Sequence, residues 1–169
     1  GVVQIWEIAT RTLQRVLNTG TGDAWSVDVS PDGQSLAVGY THGRVELRDM
    51  ASLSSLRKTI YHAAEPFLSA ASDSTGENMA IVDSVGTQIS LHSTTDGAKL
   101  RTISAPEGVS FLNVAFSANA RALWLTDTQG RLFDVDLETA DVVERSLVFS
   151  QPVSTPTVSA DGKFLGLTS

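Results

Sequence analysis

The chain has no cysteine among its 169 residues, so neither a disulfide nor a thiolate metal site can form within it. Lysine and arginine together number 12, against 19 aspartate and glutamate residues, which gives a net charge of −7. The basic residues are scattered along the chain, whereas a phosphate-binding surface needs them clustered. We therefore expect no nucleic-acid partner. The lack of cysteine does not indicate a cellular compartment.

Long apolar runs are also missing. No stretch approaches the ~20 apolar residues that a membrane-spanning helix requires, and no signal-peptide pattern occurs, so we expect no membrane partner. Helical periodicity is absent as well, since short alternating runs are separated throughout by turns rich in Gly, Pro and Asp. This pattern predicts an all-β chain with no helix longer than about two turns.

One pattern occurs four times in the same register. Its clearest copy is Ala24-Trp25-Ser26-Val27-Asp28-Val29-Ser30-Pro31-Asp32-Gly33, and the other copies begin at Phe67, Phe111 and Val153. Successive copies therefore begin 43, 44 and 42 residues apart. A fixed period in this range is typical of propeller blades, each of which contains four short strands.

A second motif keeps the same spacing. It reads Gly1-Val2-Val3-Gln4-Ile5-Trp6-Glu7 at its first occurrence and Gly130-Arg131-Leu132-Phe133-Asp134-Val135-Asp136 at its last, with Gly43 and Gly86 between them. With both motifs in phase, essentially the whole chain resembles the WD40 repeat family. The Gly-His dipeptide of that family is missing, and its strand tryptophan survives only as Trp6. Arg48, His92 and Val135 hold the equivalent places.

The resemblance implies a β-propeller segment of about four WD40-like blades, belonging to a larger propeller of roughly seven. We expect a half blade over residues 1–22, complete blades over 23–65, 66–108 and 109–151, and a second half blade over 152–169. We also expect the two half blades to lie apart and to be completed by other blades of a parent chain or by a second copy. The residues expected to be buried between blades are Val27, Val29, Leu36, Val45, Leu47, Val114, Phe116, Leu123 and Leu132.

The resemblance also suggests a binding face. WD40 proteins often take peptides at the edge where the innermost strands begin, and Trp25, Leu68 and Leu112 occupy equivalent positions there, as does Ser154. Thr41 and Thr128 occupy matching loops between second and third strands. Aromatic side chains dominate interface energetics, so Trp25 is the strongest candidate. The alternative is that Trp25 only packs between blades.

Asp28 stands where other repeats have a small residue, and we expect it to line a hydrated central channel, with a ligand or ion contact as the alternative. Asp134 and Asp136 share a strand face and could hold a cation, but a solvated or arginine-paired carboxylate is the simpler interpretation. His42, His62 and His92 are spread along the chain without zinc-ligand spacing. We predict no catalytic residues, no metal and no cofactor.

The resulting functional hypothesis is a protein–protein interaction scaffold, or docking platform, within a larger regulatory protein. Two alternatives stay open. One is a propeller-fold enzyme of the lactonase, hydrolase or dehydrogenase type, with its site at the channel mouth. The other is a sensor domain of a multidomain signalling protein.

Overall fold

The computed structural model describes residues 1–20, 22–30, 33–52, 56–62, 67–149, 151–153 and 155–168. Pro31 and Asp32 of the first motif, and the predicted binding position Ser154, lie outside these ranges. No α-helix occurs within the described ranges, so the all-β prediction is confirmed. The strands described are β1 (Val2–Glu7), β2 (Thr12–Asn18), β3 (Ala24–Val29), β4 (Ser35–Tyr40), β5 (Arg44–Asp49), β6 (Leu56–His62), β7 (Phe67–Ser72), β8 (Asn78–Asp83), β9 (Gln88–Ser93), β10 (Lys99–Ser104), β11 (Phe111–Phe116), β12 (Ala122–Asp127), β13 (Arg131–Asp136), β14 (Val142–Val148), β15 (Thr157–Val158) and β16 (Leu165–Gly166).

The strands pair antiparallel with their neighbours in sequence. Sheet 1 contains β1 and β2, and sheet 5 contains β15 and β16. Between them lie three four-stranded sheets, each with its strands in chain order: sheet 2 (β3 to β6), sheet 3 (β7 to β10) and sheet 4 (β11 to β14). The first strands of neighbouring sheets are in contact, β3 with β7, β7 with β11, and β11 with β15.

Hydrophobic packing joins the sheets in series. Leu36 and Val38 of β4 pack with Val3 and Leu17 of sheet 1. Ala37, between them in sequence, faces the opposite way and belongs to the core shared with sheet 3. Since successive side chains of a strand point to opposite faces, the middle of each four-stranded sheet is buried on both sides. The largest core lies between sheets 3 and 4, and its aromatic members are Phe111, Phe116 and Phe133.

Seven of the nine predicted core residues are buried, with exposed fractions between 0% and 8%: Leu36, Val45, Leu47, Val114, Phe116, Leu123 and Leu132. The prediction is wrong for Val27 and Val29, which are 54% and 46% exposed. Both lie on the face of β3 that points away from sheet 3, and the two-stranded sheet 1 leaves that face open. The equivalent positions in β11, Val114 and Phe116, are buried because sheet 3 covers them.

The motif glycines Gly86 and Gly130 lie in the turns between the second and third strands of sheets 3 and 4. Gly86 and Gly130 adopt positive φ angles of 72° and 76°. The carbonyl oxygen of Gly86 accepts a hydrogen bond from the Phe111 amide at 2.8 Å, at the start of the next sheet. A Cβ atom at Gly86 would overlap the Phe111 carbonyl oxygen, and one at Gly130 would overlap the Gln151 carbonyl oxygen. These turns therefore need glycine both for conformation and for close approach.

Gly86→Ala should destabilise the protein more than Gly108→Ala. Both glycines have positive φ, but a Cβ at Gly108 meets no atom within 4 Å. The control should lose about 1 kcal/mol from backbone strain alone. Gly86→Ala should lose at least ~2 kcal/mol more, because the backbone at Phe111 must move. Urea unfolding measures both values, and equal losses would mean that the turn does not contact the next sheet.

Phe116→Ala tests the core between sheets 3 and 4. Phe116 is 8% exposed and packs within that core, so truncation should cost about 3–5 kcal/mol in the free energy of unfolding. Phe164→Ala is the matched control, since Phe164 is 72% exposed and its loss should cost less than about 0.5 kcal/mol. A loss below about 1 kcal/mol for Phe116→Ala would contradict the described packing.

Candidate functional site

The three apolar residues predicted to bind a partner all lie at β-bulges. In sheet 2 the register shifts between Ala24 and Ser26, so Trp25 is the extra residue. The same shift occurs around Leu68 in sheet 3 and around Leu112 in sheet 4. A bulge leaves one residue outside the ladder and redirects its side chain, and bulges are frequent beside functional sites.

The three bulge residues differ in how much of each side chain is exposed to solvent. Trp25 is 68% exposed, whereas Leu68 and Leu112 are half-buried. Leu68 packs against the core between sheets 3 and 4. Trp25 instead borders a shallow cavity of about 260 Å³ between β1 and β3, with Val2, Gln4 and Val27 among its neighbours. Trp25 is therefore the residue of this set with a large apolar surface open to solvent.

Thr41 and Thr128 lie at the same edge of their sheets as the bulges. The Thr41 amide donates to the Asp23 carbonyl at 3.0 Å, and the Thr128 amide donates to the Ser110 carbonyl at 3.0 Å. Each threonine is exposed and lies beside the start of its sheet's first strand. We call this rim the bulge edge: Trp25, Thr41, Leu68, Leu112 and Thr128.

A buried ion pair supports the turn that carries Thr128. Asp127 is fully buried and accepts hydrogen bonds from the amides of Gln129 and Arg131 at 2.9 Å and 2.8 Å. Its second carboxylate oxygen is 2.7 Å from Arg131 Nε. A buried carboxylate is tolerable only when it is paired and hydrogen-bonded, and here those bonds fix the turn beside Leu112 and Thr128.

Asp28 lies at the far end of β3 from the bulge. Its Oδ2 atom accepts a hydrogen bond from the Ser72 amide at 2.8 Å, which ties sheet 2 to sheet 3. It also lines a cleft of about 360 Å³ bounded by β3, β7, β11 and β15. The sequence identified Asp28 as unusual, but the bond to the neighbouring sheet was not predicted.

Asp134 and Asp136, which the sequence analysis considered as a pair, have different partners in the structure. Asp134 pairs with Arg145, the Oδ2 to Nη2 distance being 2.7 Å, so the arginine-paired interpretation is confirmed. Asp136 instead accepts bonds from the Thr139 and Glu138 amides, which lower the pKa of its carboxyl group. Within the described part of the chain, no three His, Asp or Glu side chains are arranged to hold a metal ion.

A polar cluster that the sequence analysis missed lies on the face of sheet 2 toward sheet 1. Glu46 is 2% exposed and contacts Arg44 at 3.1 Å and Arg48 at 2.6 Å. Tyr40 donates to Glu46 at 2.9 Å, and burial, followed by this bond, raises the pKa of Tyr40. The alternation of Arg44, Glu46 and Arg48 along one strand could have predicted it, since residues two apart share a face.

His92 occupies the place of the strand tryptophan and is 5% exposed. Its Nε2 atom is 3.0 Å from Ser90 Oγ. Burial, and then the charge of Lys99, lower the pKa of His92 below its ordinary value of 6.5, while a backbone hydrogen bond with Gly97 opposes the shift. Since burial disfavours the charged form of the ring, the fold favours the neutral imidazole here.

Lowering the pH should therefore destabilise the protein through His92. The unfolded chain takes up a proton near the ordinary pKa while the folded chain resists it, so the free energy of unfolding should fall between about pH 7.5 and about pH 5.5. His92→Gln should make this dependence shallower. Urea unfolding at several pH values measures the slope, and an unchanged slope in the variant would contradict the assignment.

Comparison with known proteins gives no match, either among protein-family models or among curated proteins. In the described ranges, no helix has the length and apolar character needed to traverse a bilayer.

Proposed function

We propose that the chain is part of a WD40-like propeller and acts as a protein-interaction platform that docks a peptide segment at the bulge edge. Three features support the propeller interpretation: sheets with strands in chain order, first strands in mutual contact, and a cleft bordered by all four of those strands. The exposed face of β3, with Val27 and Val29, suits coverage by strands from a parent chain or a second copy.

The observation that carries the function is the repeated bulge. Three successive sheets place a bulged apolar residue at one rim, and the first of these residues, Trp25, is 68% exposed. An exposed tryptophan flanked by polar groups is the composition of an interface anchor, because its large ring contributes contact area at low entropic cost. Thr41, which is also exposed, adds a hydroxyl group at the same rim.

Replacement of Trp25 should abolish peptide binding at this rim. Peptides would be selected against the immobilised chain from a random display library, and their affinities measured by fluorescence polarisation. Trp25→Ala should weaken binding about 30-fold or more, as expected for a hot-spot aromatic worth at least ~2 kcal/mol.

Phe164→Ala is the control, because Phe164 is also an exposed aromatic residue, at 72%, but lies next to β16 in sheet 5, away from the bulge edge. It should leave peptide affinity unchanged. The proposal fails if the two variants bind equally well while both retain cooperative unfolding, or if the selected peptides contact only surfaces away from Trp25.

A further inference from the structure

A second cleft lies between sheets 2 and 3, at the opposite edge from the bulges. Its volume is about 420 Å³. It is bounded by residues at the ends of β3 and β7, by the turn after β7, and by Thr94 and Thr95 after β9, and its floor includes Ala37 and Leu47. The remaining described lining is almost entirely polar, with hydroxyl side chains and the carboxylates of Asp28 and Glu77.

The internal repeat shows what normally fills this place. Asp28 of β3 and Ser72 of β7 face each other across the interface between sheets 2 and 3, where they are joined by a hydrogen bond at 2.8 Å. At the interface between sheets 3 and 4, the repeat places Ala71 and Phe116 at the corresponding positions, and both pack into the shared core. A carboxylate and a serine thus replace an apolar pair, and a polar cleft lies where the next interface has a phenyl ring. An unfilled interface loses packing energy, so a bound group there would restore contacts.

The carboxylate and hydroxyl groups that line the cleft indicate which class of ligand it can bind. Asp28 and Glu77 are the residues with carboxylate side chains among its described members, and no Lys, Arg or His is among those members. The Ser72 amide holds one oxygen of Asp28, which fixes the orientation of the carboxylate. Hydroxyl groups of Thr75, Thr94 and Thr95 can accept further hydrogen bonds. Carboxylates bind ammonium and guanidinium groups through short, charge-assisted hydrogen bonds.

We propose that this cleft binds an organic cation, namely an alkyl ammonium or guanidinium group, with Asp28 as the anchoring carboxylate. The group can come from a free small amine or from a lysine or arginine side chain of a partner. The site is separate from the bulge edge, so this proposal does not depend on peptide docking at Trp25.

Calorimetric titration tests the proposal with three probes: agmatine, the peptide acetyl-Gly-Arg-Gly-amide, and 1,4-butanediol as a neutral compound with the same four-carbon chain. We expect saturable binding of agmatine or of the peptide, and none of the diol. Binding of the peptide alone would identify a partner side chain as the source. The proposal is overturned if neither cation binds, or if the diol binds as tightly as agmatine.

Variants then locate the site. Asp28→Asn keeps an oxygen acceptor for the Ser72 amide but removes the charge, and should weaken cation binding about tenfold or more. The double variant Asp28→Ala with Ser72→Phe places at this interface the same residue types as Ala71 and Phe116 at the next one. It should abolish cation binding while unfolding stays cooperative. Asp141→Asn, an exposed acid in a distant turn, should bind as the unaltered chain does.

Glu77→Gln provides a second measurement should Asp28→Asn fail to fold, because Glu77 is exposed at the rim of the cleft. It should weaken binding several-fold. Undiminished binding by the double variant, or by both single variants, would overturn the assignment to this cleft.

Discussion

Contact between successive sheets is the interaction on which the rest of the structure depends. The second strand of each four-stranded sheet is buried on both faces, as Leu36 and Ala37 illustrate in β4 by facing different neighbours. Removing one sheet would therefore expose apolar surface on the next. The hydrophobic effect, at roughly 25 cal/mol per Å² buried, thus acts between sheets, while the ladders of backbone hydrogen bonds hold the strands together within each sheet.

Polar contacts fix the position of each sheet relative to its neighbour. The Gly86 carbonyl receives the Phe111 amide, Asp28 receives the Ser72 amide, and Ser69 Oγ receives the Val114 amide at 3.3 Å. Each bond connects neighbouring sheets near their first strands. Because such bonds require a defined geometry, the bonds of Gly86 and Ser69 align sheet 3 with β11, and the bond of Asp28 aligns β3 with β7. Together they bring the three bulges to one rim. The proposed docking edge is a consequence of this alignment.

The repeat allowed strands, turns and most core positions to be predicted, because alternation and turn glycines reflect local rules. Val27 and Val29 were predicted wrongly because burial depends on a neighbouring sheet, which a strand's own pattern does not reveal. The bulge at Trp25 was not predicted either, since a register shift depends on pairing between two strands. The same holds for the Asp28–Ser72 bond, which joins residues 44 positions apart in sequence. The proposed cation cleft depends on the difference between two sheet interfaces, which the sequence of a single repeat does not contain.

The most direct test is residue-resolved hydrogen exchange of the amides of Ser72, Val114 and Phe111. These three amides are hydrogen-bonded between sheets rather than within them. If the sheets pack as described, all three should be protected to the same degree as the central amides of β8 and β12, because they open only with the whole structure. Rapid exchange of these three amides, with β8 and β12 still protected, would contradict the inter-sheet contacts and the alignment of the bulge edge.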